Sequence, residues 1–322
     1  MSSFQAILSA FESYCKNQLS SRSPEELYAP VEYIMQLGGK RIRPILAILG
    51  RLIFDEEAEP ALPVALAVEL FHNFSLIHDD IMDEAPLRRG QPTVHLKYGI
   101  NSGILSGDVM LIQAYDYLLE GKVGERGIQL FNRVAREVCE GQQYDMNFES
   151  RTDVQIPEYL QMIELKTAAL LGGSLALGAM TTDAPSDAIQ LLEAFGRNIG
   201  IAFQLQDDIL DTFGDPSLVG KKVGGDIAQN KKTYLILKAL ELAAPAEKAR
   251  LLQLMGGQPI PEQEKIAQVS AILRDLNIQQ LAEQEKNVYQ NRAFENLYAL
   301  NGNKSAIEAL SNLAQQLMQR QY

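Results

Sequence analysis

The sequence predicts an all-α protein: a single domain over residues 1–322, one large helical bundle around a central cavity. Three observations predict it. Apolar residues recur at helical spacing from end to end. Alternating β-branched runs bounded by turns are scarce, so no sheet is expected. No Ser/Gly/Pro-rich linker divides the chain, and 322 residues exceed what one solid core ordinarily fills, which favours a cavity.

Each element has its own local reason. Ser23-Pro24-Glu25-Glu26 reads as a helix start, with Ser at the N-cap, Pro at the first helical position and Glu at N3. Pro60–Glu84 is apolar nearly all round, as an interior helix should be, and Pro86 closes it. Further helices are expected at Ser102–Glu120, Gly124–Asn147, Pro157–Met180 and Ser186–Thr212. Lys231–Ala243, Pro261–Arg274, Asn277–Leu297 and Lys304–Arg320 complete the set. Short loops are expected near Arg88–Lys97, Gly214–Gly225 and Met255–Pro261.

Composition narrows the function. With 29 Lys and Arg against 41 Asp and Glu, the net charge is −12, a poor balance for nucleic acid, which needs clustered surplus cations. Two cysteines, Cys15 and Cys139, cannot build a disulfide framework or a Cys-rich zinc site. The first residues carry no basic leader, and the longest apolar run, Ala168–Met180, is short for a membrane span and contains Gly172, Gly173 and Ser174. The expectation is a cytoplasmic protein without a transmembrane segment.

One internal echo carries chemistry. Asp79-Asp80-x-x-Asp83 and Asp207-Asp208-x-x-Asp211 each end an apolar helix and precede a loop with basic residues. Residues four apart share a helix face, so Asp79 stacks with Asp83 and Asp207 with Asp211. An all-oxygen set of this kind suits Mg²⁺, which completes its shell with water and substrate phosphate. The plainer reading, a solvated acidic face, fits poorly with two triplets that each follow an apolar helix.

Cations gather beside these carboxylates. Gly38-Gly39-Lys40-Arg41-Ile42-Arg43-Pro44 packs three into one segment, Arg88-Arg89 follows the first triplet, and Lys221-Lys222 and Lys231-Lys232 follow the second. Such grouping in an acidic chain suggests diphosphate held between metal ions and guanidinium groups. It is not a Walker loop, because Arg41 stands where Ser or Thr is required.

Taken in order, Gly-Gly-Lys40-Arg-Ile-Arg43-Pro, Leu-Ile-His-Asp79-Asp80-x-x-Asp83 with Leu-Arg88-Arg89-Gly, Lys166-Thr167, and Phe203-Gln204-x-x-Asp207-Asp208-x-x-Asp211 resemble the trans-isoprenyl diphosphate synthases. The resemblance implies the isoprenoid synthase type of all-α fold, usually a homodimer. It implies that Asp79, Asp80, Asp83, Asp207, Asp208 and Asp211 bind three Mg²⁺ on an allylic diphosphate (dimethylallyl, geranyl or farnesyl). Lys166, Lys221, Lys231 and Arg88 would contact that diphosphate. Lys40, Arg43, His72 and Arg89 would bind isopentenyl diphosphate, and Thr167 and Gln204 would stabilise the developing cation. Gly220-Lys221-Lys222-Val-Gly-Gly-Asp226 is one residue longer than the commoner Gly-Lys-x-Gly-x-Asp, so Lys221 and Lys222 both stand as the equivalent cation.

The implied reaction is head-to-tail chain elongation by ionisation, alkene attack and proton loss. No nucleophile triad is needed, and His78 reads as a hydrogen-bonded helix residue. Terpene cyclisation would call for an Asn/Ser/Glu second metal motif, and an inactive regulatory subunit would not need intact aspartates in both motifs. Phe74 and Phe71 precede Asp79 by five and eight residues, so their rings are neighbours that could close the pocket floor together. An aromatic there, with only two residues between Asp80 and Asp83, resembles the geranylgeranyl (C20) type, with farnesyl (C15) as the alternative.

Overall fold

The computed structural model describes residues 4–19, 22–215, 223–256 and 260–318. In chain order its first helices are α1 (Phe4–Leu19), α2 (Glu25–Gln36), α3 (Ile42–Leu52) and α4 (Leu62–Met82). Two short strands, β1 (Leu87–Arg88) and β2 (Gln91–Pro92), lead to α5 (Val94–Tyr98), α6 (Ile100–Glu120) and α7 (Gly124–Ser150). Then come α8 (Ile156–Ile163), a π-helical turn at Glu164–Ala168, α9 (Ala169–Ala179) and α10 (Ser186–Phe213). The chain continues through α11 (Gly225–Ala228), α12 (Tyr234–Leu242), α13 (Pro245–Met255), α14 (Glu262–Asp275), α15 (Ile278–Tyr298) and α16 (Lys304–Met318).

These helices form two compact units. The first takes the described parts of Met1–Ala135, Leu170–Glu193 and Ala299–Leu310. Its centre is α4, packed between α3 and α6. Burial of Val64, Leu66, Val68, Leu70, Phe71 and Ile77 accounts for the nearly continuous apolar sequence of this helix. α3 and α9 meet backbone to backbone: a Cβ on Gly178 would fall 1.8 Å from the Ala47 carbonyl oxygen, so only glycine fits. The second unit takes Arg136–Ala169, Ala194–Tyr298 and the described part of Ser311–Tyr322. Its core gathers Phe148, Tyr159, Ile201, Leu205, Ile209, Leu235, Leu251, Leu273 and Ile278.

The all-α expectation holds, with local departures. The α2 N-cap is Pro24 rather than Ser23, and no side chain caps it. The helix expected over Pro157–Met180 is interrupted by the π turn, which no periodicity signals. The expected Arg88–Lys97 loop contains α5 and a two-stranded ribbon, with Leu87 paired to Pro92 and Arg88 to Gln91. Arg89 and Gly90 both have positive φ, 54° and 76°, which is the two-residue turn a tight hairpin demands. α13 escapes the sequence because it buries little beyond Leu251 and Leu254. Two stretches, Glu59–Met82 and Ile156–Ala179, are long and apolar enough to cross a membrane, but 67% and 78% of their apolar windows are buried inside the protein.

Candidate active site

α4 delivers the first triplet at its negative end, where carboxylates are disfavoured by the helix dipole and need cations. Asp83 is already the C-cap, exposed, and Asp79 is half-buried. Asp80 turns inward and is 1% exposed. Arg88 donates to both its oxygens, Nε to Oδ2 and Nη2 to Oδ1, each at 2.7 Å, and lies 3.7 Å from Asp79. Burial works against the Arg88 charge, but Asp80, with Asp79 and Asp83, outweighs it and raises the guanidinium pKa. The bidentate pair occupies one lone pair on each Asp80 oxygen and compensates the buried charge.

The adjacent arginine behaves oppositely. The positive φ at Arg89 turns its side chain the other way, where it donates to the Gly38 carbonyl. Arg43 Nη1 lies 3.2 Å from His72 Nε2. Burial lowers the Arg43 pKa to about 10, with Arg89 adding to the effect and Glu69 opposing it. Arg89 is lowered by burial and by Arg41 and Arg88, against the pull of Glu69. His72 is held neutral first by burial and then by Arg43, Arg89, Arg88 and Arg41. This is an electropositive cluster built from α3, α4 and the hairpin, and Glu69, the anion that acts on it, is itself paired with Arg41. Lys40 is exposed two residues before α3. Arg41 separates from its neighbours: it is buried in an ion pair with Glu69, also donates to Met35 O, and anchors the segment.

The second triplet, near the end of α10, is arranged differently. Asp207 is exposed, whereas Asp208 is buried beneath the Tyr159 hydroxyl, which donates to it, and Gln204 Nε2 at 3.4 Å. Burial lifts the Asp208 pKa to about 8, with Asp226 and Asp207 adding to it against the hydrogen bonds of Tyr159 and Gln204. Asp211 Oδ2 accepts from the Asp226 amide at 3.0 Å. Asp226 in turn lies 3.6 Å from Lys231 Nζ. Thr167 Oγ1 meets Gln204 Oε1 at 3.5 Å, so Thr167, Gln204, Asp208 and Tyr159 form one chain of contacts.

Lys166 and Thr167 lie within the π turn, an irregularity frequent at functional sites. A Cβ on Gly141 would come 2.3 Å from the Lys166 backbone nitrogen, so α7 can press against this turn only with glycine there. One turn on, Asp145 takes the Lys166 ammonium at 2.6 Å. Asp145, Asp226 and Tyr159 were not picked out as site residues by the sequence. The Gly141-x-x-x-Asp145 spacing before Lys166-Thr167 was the available signal for the first of them. Lys221 and Lys222 lie outside the described residues.

A sequence profile of the polyprenyl synthetase family matches residues 24–273 and so takes in both triplets. The chain belongs to that family. It is 40% identical to a short chain isoprenyl diphosphate synthase of Methanocaldococcus jannaschii over 74% of each chain. It is 39% identical to a geranylgeranyl diphosphate synthase of Saccharolobus solfataricus over 89% of this chain and 88% of that one. A crystal structure of a geranylgeranyl pyrophosphate synthase superposes with a TM-score of 0.94 at 40% identity, covering 99% of both chains.

Among the described residues, no three His, Cys, Asp or Glu side chains are gathered closely enough to hold a metal by themselves. For a polyprenyl synthetase this donor set still fits Mg²⁺. The carboxylates are hard oxygen ligands at helix ends, and Mg²⁺ is usually held by one or two carboxylates while water and substrate phosphate fill the rest.

Proposed function

We propose that the chain is a geranylgeranyl diphosphate synthase. It would condense isopentenyl diphosphate with dimethylallyl, geranyl and farnesyl diphosphates, and both aspartate triplets would serve the allylic diphosphate. The observation that carries this reading is the opposed pair Arg88 and Arg89. Adjacent in sequence, one is bound into the aspartates of α4 and the other stands with Arg43 and His72 in an electropositive cluster. Two diphosphates of different roles would need this division.

Three Mg²⁺, when bound, would neutralise the allylic diphosphate and make it a competent leaving group. Lys166, Lys231 and Lys221 or Lys222 would add charge-assisted contacts that strengthen as the anion departs. Thr167 and Gln204 would turn their oxygens to the allylic cation, and apolar walls around a central cavity would keep water away. Lys40, Arg43, His72 and Arg89 would hold isopentenyl diphosphate so that its alkene attacks the allylic carbon. A carbon–carbon bond forms, the allylic C–O bond breaks, and a proton passes to the departed diphosphate.

The S. solfataricus relative and the superposed crystal structure both carry the geranylgeranyl name, which supports C20; farnesyl diphosphate draws no support from them. A homodimer is part of the proposal, as is a cytoplasmic place with no nucleic-acid partner. Its support is a stripe on α6, where exposed Leu105, Ile112 and Leu119 recur every seven residues beside exposed Ile100 and Ile104. The test is to incubate the purified protein with isopentenyl diphosphate and each allylic starter, with and without Mg²⁺, and to measure product length. Expected is a C20 diphosphate only with Mg²⁺. Hydrocarbon products, or no turnover, would overturn the reading.

A further inference from the structure

Lys265, on α14, is 6% exposed, and its hydrogen-bond acceptors are uncharged. Nζ donates to Ala228 O at 3.0 Å and to Asn230 Oδ1 at 2.6 Å. Burying an ammonium against neutral oxygens costs free energy that an apolar side chain would not. What the charge holds is the far end of α11. The near end of the same short helix touches the second triplet: Gly224 N donates to Asp211 O at 2.6 Å, and Asp226 N to Asp211 Oδ2 at 3.0 Å. α14 grips that end as well, because Gly224 sits on Ile266, where an added Cβ would fall 2.6 Å from Cγ2. Lys231 follows, its amide donating to Asp226 O at 2.9 Å and its ammonium 3.6 Å from the Asp226 carboxylate.

We infer that Lys265 is a positioning residue for the second aspartate triplet. It locks α11 so that the Gly224 and Asp226 amides fix Asp211, and so that Asp226 holds Lys231 in place for diphosphate. Burial lowers the Lys265 pKa against the pull of Glu262, so the ammonium sits there at a desolvation cost that its two acceptors offset. The inference rests on the proposed synthase function and deepens it, since no sequence motif includes this residue.

Two variants test it. Lys265→Met keeps the stem and removes the donors. Asn230→Gly removes one acceptor at a position with φ 60°, where glycine is at ease. In Lys265→Met, the Mg²⁺ concentration for half-maximal rate and the allylic KM should each rise roughly tenfold, the low end for a residue that orients metal ligands. The isopentenyl diphosphate KM should stay constant, and the amides of 224–228 should exchange with solvent faster. Asn230→Gly should shift the same quantities less, and it decides the matter if Lys265→Met does not fold. Unchanged Mg²⁺ and allylic requirements, or a fall in kcat alone, would overturn the role. If the wild-type chain makes no prenyl diphosphate, the synthase reading falls, but calorimetry with Mg²⁺ and inorganic pyrophosphate still decides Lys265: affinity retained in Lys265→Met refutes it.

Discussion

The two Asp-Asp-x-x-Asp triplets are the same in spacing and in place at a helix end, yet their inward-facing carboxylates live differently. Asp80 is neutralised by a bidentate arginine, while Asp208 lies under a phenol and an amide, and burial lifts its pKa to about 8. The first triplet is charge-compensated within its own unit by a short hairpin. Among the described residues no arginine of that kind meets the buried Asp208, and α11 holds the last aspartate of the second triplet by a backbone amide. Identical motifs therefore do not imply identical electrostatics. What differs is the residue each buried middle aspartate meets.

The largest expected effect tests what the triplets share. Asp79→Ala and Asp207→Ala should each lower kcat about 10²–10³-fold, the scale for losing one preorganised electrostatic contact to a leaving group. Circular dichroism should remain helical, because neither residue belongs to the core. Near-normal turnover in either variant would break the symmetry between the motifs.

The next effects test the difference. Arg88→Gln leaves Asp80 buried without its charge partner. It should cost roughly 3 kcal/mol by denaturant titration, the low end for a broken buried pair, because the Arg88 side chain is 24% exposed. Tyr159→Phe should cost only about 1 kcal/mol in metal-free protein near neutral pH, since Asp208, its pKa lifted to about 8, is already largely protonated there and no bare carboxylate is left. The variant should also move the Asp208 pKa further upward. Equal losses in the two variants would mean that the two carboxylates are held alike after all.

A smaller effect concerns pH. His72 is neutral in the folded protein because burial and Arg43, Arg89, Arg88 and Arg41 oppose its charge. The unfolded chain binds a proton below its ordinary pKa of about 6.5, and the folded chain does not, so stability rises with pH there and levels off above. Acidification below that point should cost at most about 1.4 kcal/mol per pH unit from this group. His72→Gln should flatten that part of the curve, and bound inorganic pyrophosphate should do so too by making the protonated ring tolerable. A profile that does not change in His72→Gln would mean that burial and the arginines do not hold His72 neutral.

The sequence carried the helices well because α4 is one long apolar run and α10 is long and periodic, and it carried the aspartates because four-residue spacing fixes a shared face. It could not carry the π turn at Glu164–Ala168, which arises where α7 crowds Lys166 through Gly141. Nor could it separate Arg41, Arg43, Arg88 and Arg89 into a buried anchor on Glu69, a cluster with His72 and a carboxylate partner. That separation is set by the left-handed φ of 48° at Arg41 and 54° at Arg89, a backbone property with no periodicity. Lys265 stayed invisible because its partners are a carbonyl and an amide nearly forty residues away.

The smallest effect on rate is also the one that reads product length, and it turns on another contrast between the two helices. Five residues before its first aspartate α4 carries Phe74, whereas α10 carries Ala202; eight before, the pair is Phe71 and Ile199. The Phe71 and Phe74 rings lie 5.5 Å apart, and Phe71 also meets Phe131 at 5.3 Å. Backed in this way, the Phe74 ring, about 7.5 Å along the helix from Asp79, is braced rather than free to swing aside. A tail growing down α4 would meet a firm aromatic stop on this helix. Phe74→Ala should therefore lengthen the product beyond C20 with activity retained, and Phe71→Ala with Phe74→Ala should lengthen it further at some cost in stability. Product analysis by chromatography checks both. An active double variant that still stops at C20 would show that the ruler lies elsewhere and that these rings serve the core alone.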